Sequence, residues 1–332
     1  MGNPMWRLAT SINYLSEKIF AEGRENEVEI IVADWGSKIP ISEVLQLSPI
    51  SAQLTHFIHI PETLAQQLQQ DSPFAEVYAL NAAARASNGQ YIGRIDQDTL
   101  VTVNFIRQFF KAFEGKANFG FDLKHSYLFA ARKQLPYSYI KTEPGLASIN
   151  KVIESFSNWI QSEELSFCYW ASAVGILLMH RDMWDEVGGY DERLIYYWYM
   201  DVDLGTRIIK KYPVVNIGKV FGYDFFHLEH MQTRMNFGVL HRKRNPDWSK
   251  SFDKPNLNPN GKNWGLKEAD LQLEKLKIKP VASYAANKET LKNHQLLRLL
   301  FRISVNSGKL WVYNLVRHSL YLSKKLTKRD FL

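Results

Sequence analysis

With 332 residues, 45% of them hydrophobic and 13% aromatic, the chain is long enough to bury a substantial core, and its composition excludes a disordered or fibrous protein. The net charge of +7 is concentrated: residues 281–332 hold ten Lys/Arg against two acids, leaving residues 1–280 close to neutral. With no zinc-ligand spacing, recognition-helix signature or RNA-binding aromatic motif beside it, that excess does not read as a nucleic-acid surface. The single Cys168 excludes an internal disulfide and fits a reducing, cytoplasmic compartment. No apolar run reaches the roughly 18–20 residues of a membrane span, and the opening Met1-Gly2-Asn3-Pro4-Met5-Trp6-Arg7 lacks a signal-peptide pattern.

Apolar residues at helical spacing (Trp6, Leu8, Ile12, Leu15, Ile19) predict a helix from Trp6 to Glu22, stopped at Gly23. Val28 to Ala33 reads as a strand running into Asp34-Trp35-Gly36-Ser37, and Thr55 to Ile60 as a second strand ended by Pro61. A helix over Phe74–Ala86 breaks at Asn88-Gly89 and feeds a strand over Tyr91–Asp98; Val103–Phe113 is again helical. Strands alternating with helices predict an α/β fold whose parallel strands present ligands at their carboxyl ends. Asp34, Asp96 and Asp98 all lie at such ends.

Further along, Tyr127–Ala131 and Ala173–Met179 read as strands and Ile149–Ile160 as a helix. Met183–Val187 leads to the turn Gly188-Gly189-Tyr190-Asp191-Glu192 and the aromatic run Tyr196-Tyr197-Trp198-Tyr199. A helix from Asp201 to about Lys211 and a strand near Val214–Ile217 precede Phe225-Phe226-His227-Leu228-Glu229-His230. Residues 236–264, rich in Asn, Pro, Lys and Trp, read as a long loop of the kind used as a lid.

Side chains two apart on an extended chain share a face, so Asp96 and Asp98 are expected to address one ligand together. Paired carboxylate oxygens suit Mg²⁺ or Mn²⁺ held with a diphosphate. The spacing alone is weak, since Asp201-Val202-Asp203 repeats it.

Taken in order, Glu29–Ser37, Asn81–Gly89, Tyr91–Asp98, Val187–Glu192 and Asp201-Val202-Asp203-Leu204 with Arg207 resemble the GT-A-fold, nucleotide-sugar-dependent, mostly inverting glycosyltransferases, over roughly residues 5–235. The resemblance implies a Rossmann-like nucleotide-binding sheet with helices on both faces. It implies Asp34 at the nucleotide's base or ribose, Asp98 as a direct metal ligand, and Asp96 at the metal or ribose. It further implies Asp201 as catalytic base and His227 as the histidine completing the metal site, with His230 the less favoured choice. Asn81 and Arg85, four apart on one helical face, are candidates to reach the donor diphosphate, and Trp170 and Tyr199 to stack on the acceptor sugar. Two departures stand out. Met200 occupies the place where the family usually carries Glu, and the chain begins in what reads as the loop after the family's first strand, so that strand is expected upstream of Met1.

Each assignment has a plainer competitor. Asp96 and Asp98 also read as turn residues, Asp34 as a turn former, Asp201 as a helix N-cap, His227 as a core histidine, Arg85 as a surface cation, and Trp170 with the tyrosines as core packing. For Asp201 the helix dipole lowers the pKa and burial raises it, and sequence leaves the net sign open.

The reading divides the chain into a catalytic domain (1–235), a lid and connecting helix (236–290) and a basic amphipathic helical tail (291–332). That tail suits either peripheral contact with an anionic membrane face or packing on a protein surface. The expected activity is metal-dependent transfer of a hexose from a UDP-sugar to a glycan or lipid-linked acceptor, with inversion. The alternatives are a sugar-nucleotide nucleotidyltransferase and a degenerate, membrane-associated glycan-binding protein.

Overall fold

The computed structural model describes residues 3–157, 160, 176–196, 199–222, 225–230, 243–245 and 256–282. Trp170 and the 291–332 tail lie outside them. No helix among the described residues is long and apolar enough to cross a membrane.

The first helix, α1 (Pro4–Ala21), has both ends written locally. Asn3 accepts from Trp6 N–H at 3.1 Å and Pro4 opens the first turn. Gly23, at φ 65°, turns the chain so that its own N–H and that of Arg24 return to the carbonyls of Phe20 and Ile19. The helix is buried on nearly every side, which explains polar residues such as Ser11 and Asn13 facing inward: Ser11 Oγ donates to Thr99 O, and Asn13 binds the backbone at Gln46 and Ser48.

β1 (Ile30–Trp35) and β2 (Thr55–Ile60) pair in parallel with Asp34 opposite His59. Between them lies α2 (Pro49–Leu54), and after them α3 (Glu62–Gln69) and α4 (Glu76–Ala86). β3 (Tyr91–Ile95), β4 (Thr99–Val101) and α5 (Val103–Phe113) follow, then β5 (Tyr127–Phe129), β6 (Lys133–Leu135), α6 (Tyr137–Ile140) and α7 (Leu146–Phe156). β7 (Ile176–His180), α8 (Arg181–Val187), α9 (Met200–Ile209), β8 (Val214–Asn216), α10 (Ile217–Phe221) and β9 (Phe225–Leu228) complete the main body. From the stretch read as lid and connector, β10 (Leu273–Glu274) adds antiparallel to β2.

The α/β class is as the sequence predicts, but the strands are not all parallel. The ladders run β1-β2-β10, β3-β7-β5-β8 and β4-β9-β6, and β7 is antiparallel to both of its neighbours. The strand expected over Tyr91–Asp98 also ends early. It does not run on to Asp98: only Asp96, Gln97 and Asp98 separate β3 from β4. Instead, Thr99 N–H closes a turn on Asp96 O, and β4 leaves for its own small sheet, where Thr99 faces His227. That sheet is anchored from below: Leu100, Leu135, Phe226 and Leu228 are each 1% exposed or less and pack with Trp6 and Tyr14 of α1. Each such burial contributes about 1.5–3 kcal/mol, so the small sheet is a rigid platform.

Candidate active site

The turn between β3 and β4 decides where the two central carboxylates go. Asp98, at its end, faces β9. Its Oδ2 lies 3.1 Å from His227 Nε2 and 3.2 Å from His230 Nε2. The three side chains offer donor atoms all within 4.8 Å of one another, a cluster that can hold a metal ion. In the small sheet Gln134 of β6 is the register partner of His227, and its Oε1 lies 2.6 Å from His227 Nδ1. A carbonyl oxygen there makes Nδ1 a donor and turns Nε2 toward Asp98, so that Nε2 is the nitrogen a bound ion would take in place of its proton. His230, the less favoured choice from sequence, thus joins His227 rather than replacing it.

Burial opposes the charge on Asp98, but hydrogen bonds from His227 and His230 and the charges of His227 and Arg132 outweigh it, holding the carboxyl far below its ordinary value. Two imidazole nitrogens and one carboxylate oxygen fit a divalent first-row transition ion better than Mg²⁺, which prefers all-oxygen shells.

Asp96, expected on the same face as Asp98, is not part of that cluster. Its Oδ1 accepts from Arg94 Nη2 at 3.0 Å and its Oδ2 from Arg132 Nη1 at 3.2 Å. The alternation argument fails because the chain is turning, not extended, between the two residues. They stay linked through Arg132, whose Nη1 also reaches Asp98 Oδ1 at 3.3 Å and Thr99 Oγ1 at 3.1 Å.

Arg94 carries the network onward. Nη2 donates to Glu76 Oε1 at 2.8 Å, and Nη1 donates to Tyr190 Oη at 2.8 Å and to Asp201 Oδ1. Asp201 sits in the first turn of α9, one residue inside the helix. The N-cap is Tyr199, which makes no side-chain cap bond and holds φ 71°, a left-handed conformation costing about 1 kcal/mol or more for a side-chain-bearing residue. Asp201 is therefore not the cap. Burial raises its pKa; Arg94 acts against this, Asp96 adds to it, and hydrogen bonds from Arg94 and Tyr190 oppose it. The net direction is upward, which answers the question that sequence leaves open. Glu76 is also raised, to about 7, from burial first, with Arg94 opposing and Asp201 and Asp96 adding. Both carboxylates nonetheless keep access to solvent, 27% for Asp201 and 40% for Glu76, whereas Arg94 is 9% exposed beneath them.

The remaining candidates lie elsewhere in the fold. Asp34 is 1% exposed, accepting at Oδ2 from Ile41 N–H at 2.8 Å and lying 3.0 Å from His59 Nδ1. What this locus presents outward is the His59 imidazole, 25% exposed. Asn81 is fully buried, with its amide bonded to Tyr190 O, Glu192 Oε1 and Tyr190 N–H. It clamps the Gly188–Glu192 turn, and a Cβ on Gly189 would fall 2.3 Å from its Oδ1. Arg85 stacks over the Trp264 ring at 4.0 Å and donates to Trp264 O and Lys262 O. Both residues pin chain segments. Asp203 pairs with Arg207 at 2.9 Å, each side chain 1% exposed. Met200 is core, packed with Leu204 and Trp184.

Sequence reasoning missed Arg94, Arg132, Glu76, Tyr190 and Gln134. Arg94 had a signal: it lies two residues before Asp96 on a strand, the same-face spacing applied one step too late. The others come from separate elements and carry no local mark.

No protein-family model matches the sequence, and no curated protein matches it. Among solved structures, the catalytic domain of Drosophila β1,4-galactosyltransferase 7, in complex with xylobiose, is similar at 14% identity, with a TM-score of 0.37, over 75% of this chain and 75% of that one. A superposition that loose transfers no residue role.

Proposed function

We propose that this protein is a metal-dependent, GT-A-type glycosyltransferase that moves a hexose from a UDP-sugar to a glycan or lipid-linked hydroxyl with inversion. The observation that carries the reading is one continuous polar network. A cluster able to hold a divalent ion (Asp98, His227, His230) is joined through Arg132, Asp96 and Arg94 to a solvent-accessible carboxylate of raised pKa, Asp201. Such a network serves displacement of a nucleoside diphosphate, which needs charge stabilisation on the leaving group and a base for the entering one.

Asp98, His227 and His230 would hold the ion, with Gln134 fixing the His227 tautomer. When bound, the ion supplies Lewis-acid stabilisation of the departing diphosphate. Asp201 accepts the proton of the acceptor hydroxyl as its oxygen bonds to the anomeric carbon. The bond from that carbon to the phosphate oxygen breaks, and its electron pair leaves with the nucleoside diphosphate. One displacement from the opposite face gives inversion and needs no enzyme nucleophile. Arg94 keeps Asp201 in place, and burial keeps Asp201 basic enough to take the proton.

The test is nucleotide release from a panel of UDP- and GDP-sugars, with Mn²⁺ and with chelator. UDP release that requires Mn²⁺ and falls at least a hundredfold in Asp98→Ala and in Asp201→Asn supports the proposal. Release unaffected by chelation, or pyrophosphate as product, refutes it; pyrophosphate would indicate a nucleotidyltransferase.

A further inference from the structure

Arg94 is shared by more carboxylates than its charge balances. Asp201 and Asp96 already neutralise it, yet Glu76 is brought from the first turn of α4 to the same guanidinium. Burial and the neighbouring carboxylates Asp201 and Asp96 make that placement unfavourable for a charged Glu76. The side chain is 40% exposed, and among the described residues its Oε2 has no hydrogen-bond partner.

The arrangement does create a paired surface. Nη1 holds Asp201 and Nη2 holds Glu76, so two carboxylates sit on the adjacent terminal nitrogens of one planar group. Arg94 is the buried floor, and both carboxylates face solvent. Carboxylate oxygens accept hydrogen bonds, and the hydroxyls on neighbouring sugar carbons are a pair of donors that two carboxylates held on adjacent nitrogens can address together.

We propose that Glu76 is an acceptor-binding residue: it accepts a hydrogen bond from the hydroxyl next to the one that Asp201 deprotonates, so that the acceptor is a sugar or polyol presenting a vicinal diol. This rests on the reading of Asp201 as the base. Glu76 then fixes which hydroxyl of the pair reaches Asp201, and so the linkage.

The experiment uses the full chain with Mn²⁺ and a UDP-sugar panel. Methyl pyranosides of glucose, galactose, xylose and N-acetylglucosamine serve as acceptors, followed by monodeoxy analogues of the best one. Wild type, Glu76→Gln and Glu76→Asp are compared, each checked for folding by thermal melting. For wild type, deleting the hydroxyl beside the attacked one raises acceptor KM roughly tenfold, as loss of one hydrogen bond to a charged group does. Glu76→Gln raises KM for the parent acceptor by a similar factor with a smaller change in kcat, and adds nothing further on that deoxy analogue, the non-additivity of a direct contact. Glu76→Asp recovers part of the loss. An active wild type whose Glu76→Gln variant keeps the same acceptor KM overturns the proposal, as do losses that multiply for every deoxy analogue. If Glu76→Gln does not fold, the Glu76→Asp pattern decides. A wild type inert toward every donor with Mn²⁺ removes the transferase reading and this proposal together, a result distinct from an indifferent Glu76.

Discussion

Replacing Glu76 with the isosteric, neutral Gln should stabilise the protein at alkaline pH and leave its stability unchanged at acid pH. Burial, with Asp201 and Asp96 adding and Arg94 opposing, lifts the Glu76 carboxyl from 4.5 to about 7. At roughly 1.4 kcal/mol per tenfold change in proton affinity, that span is worth at most about 3.5 kcal/mol. The side chain keeps 40% of its surface in contact with water, so solvent screening reduces the figure to ~1 kcal/mol. The sign follows from linkage. The folded state binds the Glu76 proton more tightly than the unfolded chain, so stability is greatest below the unfolded value of 4.5. It declines as pH rises through about 7, where the folded carboxyl ionises, and stays reduced above it. Urea denaturation of wild type and Glu76→Gln, followed by circular dichroism near pH 4.5, 6 and 8.5, measures the difference. The Gln variant should be more stable by ~1 kcal/mol at the highest pH, with the gap closing toward the lowest. A Gln variant less stable than wild type at about pH 8.5 would mean that attraction to Arg94 outweighs burial and carboxylate crowding, and the reasoning would fail.

Gln134→Ala should lower Mn²⁺ affinity by about 10–100-fold in calorimetric titration, because His227 loses the partner on Nδ1 that orients it; undiminished affinity would contradict that orienting role. Gly189→Ala should cost at least ~2 kcal/mol in urea denaturation, since φ is 66° and the added Cβ meets Asn81 Oδ1 at 2.3 Å. Gly23→Ala shares the positive φ of 65° with nothing within 4 Å, and should cost only about 1 kcal/mol. Asp203→Ala should cost about 3–5 kcal/mol, because it strands the buried Arg207 guanidinium without its anion; a loss below ~1 kcal/mol would show that the carbonyls of Val187, Gly189 and Leu257 suffice for it.

Where a segment's structure is decided by its own pattern, the sequence was legible. β2 and α5 have the predicted limits, and α1, α4 and α9 lie within two residues of theirs at every end. In α1 and α5 the helical period of apolar residues is strong, and at the end of α1 Gly23 marks the stop. β1 ends two residues later than Ala33 because Asp34 and Trp35, read as turn residues, pair with His59 and Ile60 across the ladder. That pairing is a tertiary fact, invisible from either segment alone.

The site shows the same division at finer scale. A carboxylate pair two apart was read as one ligand set because an extended chain was assumed to carry both. The chain instead closes a turn between Asp96 and Thr99, which sends Asp98 to β9 and Asp96 to the arginines. The spacing therefore contained the residues but not their roles. The histidines show it again: His227 lies on β9 and His230 two residues past its end, a spacing with no strand or helix period to join them, yet both reach Oδ2 of one carboxylate. Asp201 shows the limit most plainly. Two opposing effects on its pKa were nameable from sequence, but their order depends on how far Arg94, Asp96 and Tyr190 enclose it. Arg94 and Asp96 reach it from the end of β3 and the turn after it, far back along the chain, and only the assembled fold makes burial the larger effect.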